Sequence, residues 1–203
     1  MGQTWRACAA VGAALLIATC SPAATRSGAP TGTLLPTATA TASSSPTPVV
    51  FASTRYPYSI TLPIGWVASP AVETWNGSGA PAIEDTAVDA FGPVGERVTF
   101  GAFGSAAPTK SLLAAWVADG IAANFRIHGD TCPQTPDSVE PVRIGGQPGT
   151  LVAMNCGILI NTAFTVANGY GYRFGFRDPA IQAATDPADH ATFTTMLGSV
   201  VFH

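Results

Sequence analysis

The sequence predicts an α+β domain built on an antiparallel sheet covered on both faces, and three observations lead there. The pair Asn168-Gly169, set between two strand-like runs, has the composition of a type I′ hairpin turn. Both faces of that hairpin carry bulky apolar side chains, so each needs something packed against it. Between the strand-like segments, Leu112, Leu113, Trp116, Val117, Ile121 and Phe125 recur at spacings of three and four, the signature of an amphipathic helix.

Taken in order, the chain begins with a short positive region, Met1 to Arg6, followed by an apolar run, Ala7 to Ala18, too short to span a bilayer as a helix. Cys20 closes that run. Ile17, Ala18 and Cys20 fit a bacterial lipobox, with Thr19 where Gly, Ala or Ser is usual. The expectation is a lipoprotein signal over residues 1–20, with Cys20 as the lipid acceptor; the alternative is an ordinary secretory signal cut near Thr19 or Ala24. Arg6 stands where a myristoylation motif wants Ser or Thr, so Met1-Gly2 is not read that way. Residues 21–50 are almost wholly Ala, Thr, Ser, Pro and Gly and cannot bury enough to fold, which predicts a disordered tether. Such a tether reaches from roughly 30 Å as a coil to roughly 85 Å when extended.

Residues 51–203 are expected to form one domain with one core. Tyr58-Ser-Ile60-Thr-Leu62 alternates as a strand and runs into a turn at Pro63-Ile64-Gly65-Trp66. Val88 to Phe91 and Arg97 to Phe103 read as a strand pair around Gly92-Pro93-Val94-Gly95. Thr109 or Ser111 is the expected N-cap of the amphipathic helix, which ends near Gly129. Val142 to Ile144 and Thr150 to Val152 flank a five-residue loop, Gly145 to Gly149. In the hairpin that follows, Ala167 faces Tyr170, Thr165 faces Tyr172, Ala163 faces Phe174 and Asn161 faces Phe176, which lays four aromatics over small residues. On the other face Val166, Phe164 and Ile160 oppose Gly171, Arg173 and Arg177, and the arginines predict a partly wet surface. Asp186-Pro187 starts a last helix through Phe193, Met196 and Leu197, and Val200 to Phe202 forms a final strand.

Composition narrows the function classes. Charged residues make up 10% of the chain and the net charge is −3, so a nucleic-acid partner is not expected. Of the four cysteines, Cys8 and Cys20 fall in the signal, leaving Cys132 and Cys156. Two thiols in an oxidising compartment suggest one structural disulfide, worth about 3 kcal/mol for a loop of this length. A redox or metal role lacks both CxxC spacing and a neighbouring His.

No catalytic or metal constellation stands out. Of the three histidines, His128 comes nearest to a pair, in His128-Gly-Asp130, where a solvated helix end is the simpler reading. Asp178, Asp186 and Asp189 are near enough in sequence to crowd a Ca²⁺, but Asp186 reads better as a helix cap and Asp189 as favourable to the helix dipole. No nucleophile elbow, SxxK, dinucleotide fingerprint or P-loop occurs, and no cofactor is expected. Trp75, beside the loop Asn76 to Pro81, and Tyr170 and Tyr172, beside the hairpin tip, are the candidate ligand contacts; core packing is the competing reading for all three.

Two segments carry a family resemblance. Tyr56-Pro-Tyr58-Ser-Ile-Thr-Leu-Pro-Ile-Gly-Trp66 and Phe193-Thr-Thr-Met-Leu-Gly-Ser-Val-Val-Phe202 resemble the opening and closing brackets of PsbP-like domains in exported bacterial proteins. The resemblance spans about residues 51 to 203. It implies an α/β/α sandwich with a central antiparallel sheet covered by helices, and a non-catalytic role in docking onto larger assemblies such as photosystem II or a small GTPase. It carries no functional residue, because the matched motifs are structural. The expected function is therefore a membrane-tethered, extracytoplasmic domain that binds a partner protein or cell-envelope component. It would sit on the outer face of the cytoplasmic membrane or in the periplasm. A small-molecule or lipid carrier with a cavity between helix layer and sheet is the alternative, and a hydrolase using His128 and Asp130 ranks behind both.

Overall fold

The computed structural model describes residues 47–93, 98, 101–177 and 186–203. The expected signal (1–20), nearly all of the expected tether, the opening of the strand expected from Arg97, and Asp178 lie outside the described residues.

A large antiparallel sheet organises the domain. It is seven-stranded, with β3 (Val67–Ser69), β4 (Asp89–Gly92), β5 (Gly101–Pro108), β9 (Tyr170–Arg177), β8 (Leu159–Ala167), β7 (Gln147–Asn155) and β6 (Ser138–Ile144) side by side in that order. A second sheet of three strands places β2 (Tyr58–Leu62) between β1 (Val49–Ala52) and β10 (Val201–Phe202). Two α-helices are described, α1 (Leu113–His128) and α2 (Pro187–Gly198). Together these make the predicted α+β arrangement: an antiparallel sheet with α1 over one face and α2, with the small sheet, over the other.

The β8–β9 hairpin shows why both faces are covered. Asn168 and Gly169 sit at φ 50° and 79°, the left-handed pair that a type I′ turn requires. The register is the expected one, from Ala167 opposite Tyr170 to Asn161 opposite Phe176. Tyr172, Phe174 and Phe176 project toward α2 and the small sheet, where Phe176 packs on Phe193 of α2 and Phe174 on Tyr58 of β2, edge to face. Gly171, Arg173 and Gly175 project to the α1 side. A methyl at Gly171 would run into the Trp116 indole and one at Gly175 into the Phe103 ring, so the two glycines let aromatic rings lie directly on the strand.

Several local expectations are corrected. The N-cap of α1 is Leu112, with no side-chain cap; Thr109 Oγ1 instead accepts a hydrogen bond from the Ser111 amide at 3.1 Å. Leu112 is therefore exposed rather than part of the apolar face, and the buried stripe runs through Trp116, Val117, Ala123 and Asn124. The five-residue loop after Ile144 is really a two-residue turn, Gly145-Gly146 at φ 53° and 79°, and Gln147 and Pro148 already pair with Ile144 and Arg143. Pro141 lies within β6, which it can do because β6 is an edge strand. The second expected strand of the early pair is described only from Gly101 and runs on to Pro108.

Asp186 caps α2 as anticipated, accepting a hydrogen bond from the Ala188 amide at 2.8 Å, with Pro187 in the first helical position. The end of α2 is tied to both sheets. The Gly145 amide of the β6–β7 turn donates to Leu197 O at 2.9 Å, and the Thr61 amide of β2 donates to Ser199 Oγ at 3.0 Å. Cys132 and Cys156 form the expected disulfide, joining the turn after α1 to the segment after β7.

Candidate functional site

The site forms where the 71–79 loop crosses the α1 face. Tyr56 anchors the loop: its hydroxyl accepts from the Trp75 amide at 2.9 Å and donates to Ala87 O. Asn76 Oδ1 accepts from the Ser78 amide at 2.9 Å, an Asx turn that lets the loop reverse, and Gly77 and Gly79 take φ 86° and 76°. The reversal brings Ser78 O within 2.6 Å of the Trp75 indole nitrogen, which fixes the ring. On α1, the Trp116 indole nitrogen donates to Tyr172 O at 3.0 Å. The two indoles then stand 5.7 Å apart, tilted by 58°.

Beside them opens a cleft of about 250 Å³, lined by these indoles, Phe164 of β8, Asp119 and Arg126 of α1, and Arg173 of β9. Asp119 and Arg126 are exposed at its mouth. Arg173 is the unexpected member. Its alternating position predicted a half-wet face, yet it is only 2% exposed, roofed by α1 and the 71–79 loop. Its Nη2 donates to Asn124 Oδ1 at 2.8 Å, Nη1 reaches Gly79 O at 3.5 Å, and its carbon lies 5.7 Å above the Phe164 ring. Nε has no hydrogen-bond partner, and no carboxylate among the described residues lies within ion-pair distance of the guanidinium. Burial pushes its pKa down to about 10, so it remains a cation at neutral pH.

The other fully buried charged side chain among the described residues, Asp89, lies on the opposite face of the sheet. Asp89 accepts from the Tyr58 hydroxyl at 2.8 Å and from the Ala71 amide at 2.9 Å. Desolvation, then the Asp89 charge, holds the Tyr58 hydroxyl well above its usual pKa. Asp89 thus closes a structural network and does not neutralise Arg173.

The three aromatic candidates do not come together. Trp75 lines the cleft and also seals the core edge. Tyr172 is fully buried on the α2 side of the sheet, donating to Pro57 O at 3.2 Å, and Tyr170 is half-buried beside it with ring centroids 6.3 Å apart. Both rings pack on that face of the sheet, and neither lines the cleft. His128 ends α1 and Asp130 sits in the following turn; neither lines the cleft, and among the described residues no cluster of three metal-ligating side chains exists. Asp186 is engaged as the α2 cap. Sequence reasoning missed Trp116, Asn124 and Arg173 as site residues. The available signal was Gly171, Arg173 and Gly175 on one strand face, a charge flanked by two positions stripped of side chain.

No protein-family model matches the chain, and no curated protein matches it by sequence. Among solved structures it matches the solution structure of cyanobacterial PsbP (CyanoP) from Synechocystis sp. PCC 6803, with a TM-score of 0.51 and 13% identity, covering 78% of this chain and 94% of that one. The fold is therefore PsbP-like. The likeness extends to the fold alone. Among the described residues no helix is long and apolar enough to cross a membrane.

Proposed function

We propose that this chain is a membrane-tethered, extracytoplasmic, non-catalytic domain that binds a partner protein or cell-envelope component, and that binding centres on the cleft between the 71–79 loop, α1 and β9. Tethering follows from the lipobox ending at Cys20 and the Ser/Thr/Pro-rich residues 21–50 ahead of the domain. The observation that carries the binding reading is a preformed cleft holding two fixed indoles and a buried cation that has no counterion among the described residues. The test is affinity capture from solubilised envelopes with the wild type and with Asp119→Trp, which blocks the cleft mouth. A specific component recovered by the wild type and lost in the variant supports the proposal. Recovery of none, or equal recovery by both, counts against it.

The carrier reading also has an observation in its favour, because the cleft lies between a helix layer and the sheet, where a carrier cavity was expected. Its volume of about 250 Å³ falls below the roughly 300–1,000 Å³ of drug-sized sites, which restricts the cargo to a small molecule and leaves little room for a lipid. Native mass spectrometry of the purified protein separates the two readings: a small ligand retained on the chain favours the carrier.

A further inference from the structure

We infer that the cleft binds a small carboxylate, with its oxygens on Arg173 and an apolar or aromatic body against Trp75 and Trp116. This rests on the reading that the cleft is a binding site, and adds the chemistry of what it takes. Buried charges in proteins are paired or hydrogen-bonded in full, because an unpaired one loses its hydration without compensation. Arg173 departs from that rule: it is 2% exposed, its Nε lacks a partner, and its one short hydrogen bond is to the neutral amide of Asn124. A guanidinium presents its donors as a planar fork that matches the two oxygens of a carboxylate.

Size and charge refine the ligand. The cleft of about 250 Å³ falls below the roughly 300–1,000 Å³ of drug-sized sites, which points to a small ligand. At the mouth the exposed charges of Asp119 and Arg126 offset one another, so the charge that selects is Arg173 inside, one cation for one carboxylate. Trp75, Trp116 and Phe164 share the lining with the Gly77 to Gly79 stretch and give an apolar body three rings to pack on.

Benzoate is the probe, titrated against the full chain purified from the exporting cell. The readout is intrinsic fluorescence, since Trp75 and Trp116 line the cleft. A saturable change is expected, with benzamide, its neutral counterpart, binding at least about tenfold more weakly because the charge-assisted bonds are lost. Arg173→Met should weaken benzoate by a similar factor, and Arg173→Lys by less. Equal affinities for benzoate and benzamide, no saturable signal from benzoate, or unchanged benzoate binding in Arg173→Met would each overturn the inference. Should the variant fail to fold, the comparison on the wild type still decides. If benzoate fails while the cleft still captures a component blocked by Asp119→Trp, the carboxylate assignment falls and the binding proposal stands.

Discussion

At the scale of single residues, Arg173 sets the terms. A guanidinium held near pKa 10 instead of 12.5 is charged at pH 7 in folded and unfolded chains alike, so the fold carries the whole cost, about 3 kcal/mol at about 1.4 kcal/mol per pKa unit. That cost is relieved only as the pH rises above about 10. Arg173→Met alone removes the charge but strips Asn124 Oδ1 of its donor, a loss of about 1–3 kcal/mol. In urea unfolding the single variant should lie within about 1 kcal/mol of the wild type, and Arg173→Met/Asn124→Leu should gain about 1–3 kcal/mol. A double variant weaker than the wild type would make the guanidinium a structural brace. Tyrosines act in the opposite direction. Tyr56, Tyr58 and Tyr172 are all raised by desolvation, Tyr172 to about 12. An unfolded tyrosine ionises near 10, so their stabilising contribution is intact below that pH and is lost as the pH climbs through the folded values. Tyrosinate absorbance from these rings should therefore appear together with loss of the fold, above about pH 10, and not as a separate earlier step. The burial of Arg173 was not legible in the sequence, since the groups that roof it, Asn124 and the 71–79 loop, lie about 50 to 100 positions away and only the fold brings them over the strand.

Elements whose instructions are local were legible. The β8–β9 turn needs two left-handed residues, and Asn168-Gly169 supplies them; the start of α2 needs an oxygen to cap it and a residue that can give up its N–H, and Asp186-Pro187 supplies both. The start of α1 was misplaced because capping-type residues were present at Thr109 and Ser111, while the helix begins behind Leu112 without one. Gln147-Pro148 likewise read as loop, although the Gly145-Gly146 turn makes both part of β7. The glycines of β9 allow a direct test. Gly171→Ala should cost about 1–3 kcal/mol, because its methyl meets the Trp116 ring. Gly198→Ala, in the last turn of α2 where an added methyl meets nothing, should instead stabilise by about 0.4–1 kcal/mol. Thermal melts of the two variants in opposite directions would separate packing from backbone entropy.

At the scale of the molecule, the layer order follows from one hairpin with two apolar faces, and this much the sequence carried. The split into two sheets it did not, because the short strands β1 and β10 differ little from loop in their local pattern. The disulfide closes the stretch from the end of α1 to the end of β7 and pins down the connection through Pro133 and Pro136, which buries no residue of its own. Cys132→Ala/Cys156→Ala should lose about 3 kcal/mol, read by urea unfolding, while leaving ligand binding intact, and non-reducing peptide mapping should recover the linked peptides. For Cys20, metabolic labelling with a fatty-acid analogue should mark the wild type and not Cys20→Ser. The small sheet has a bearing on the timing of assembly. Its central strand, β2, hydrogen-bonds to β1 a few residues earlier and to β10 about 140 residues later, with Val201 opposite Ser59 and Phe202 opposite Tyr58. The small sheet therefore cannot close until Val201 and Phe202 are in reach of β2, whatever else has folded before them. Until then Tyr58, buried at the centre of the core, lacks its β10 neighbour, so closure of the small sheet is a long-range step set apart from the local hairpins of the large one.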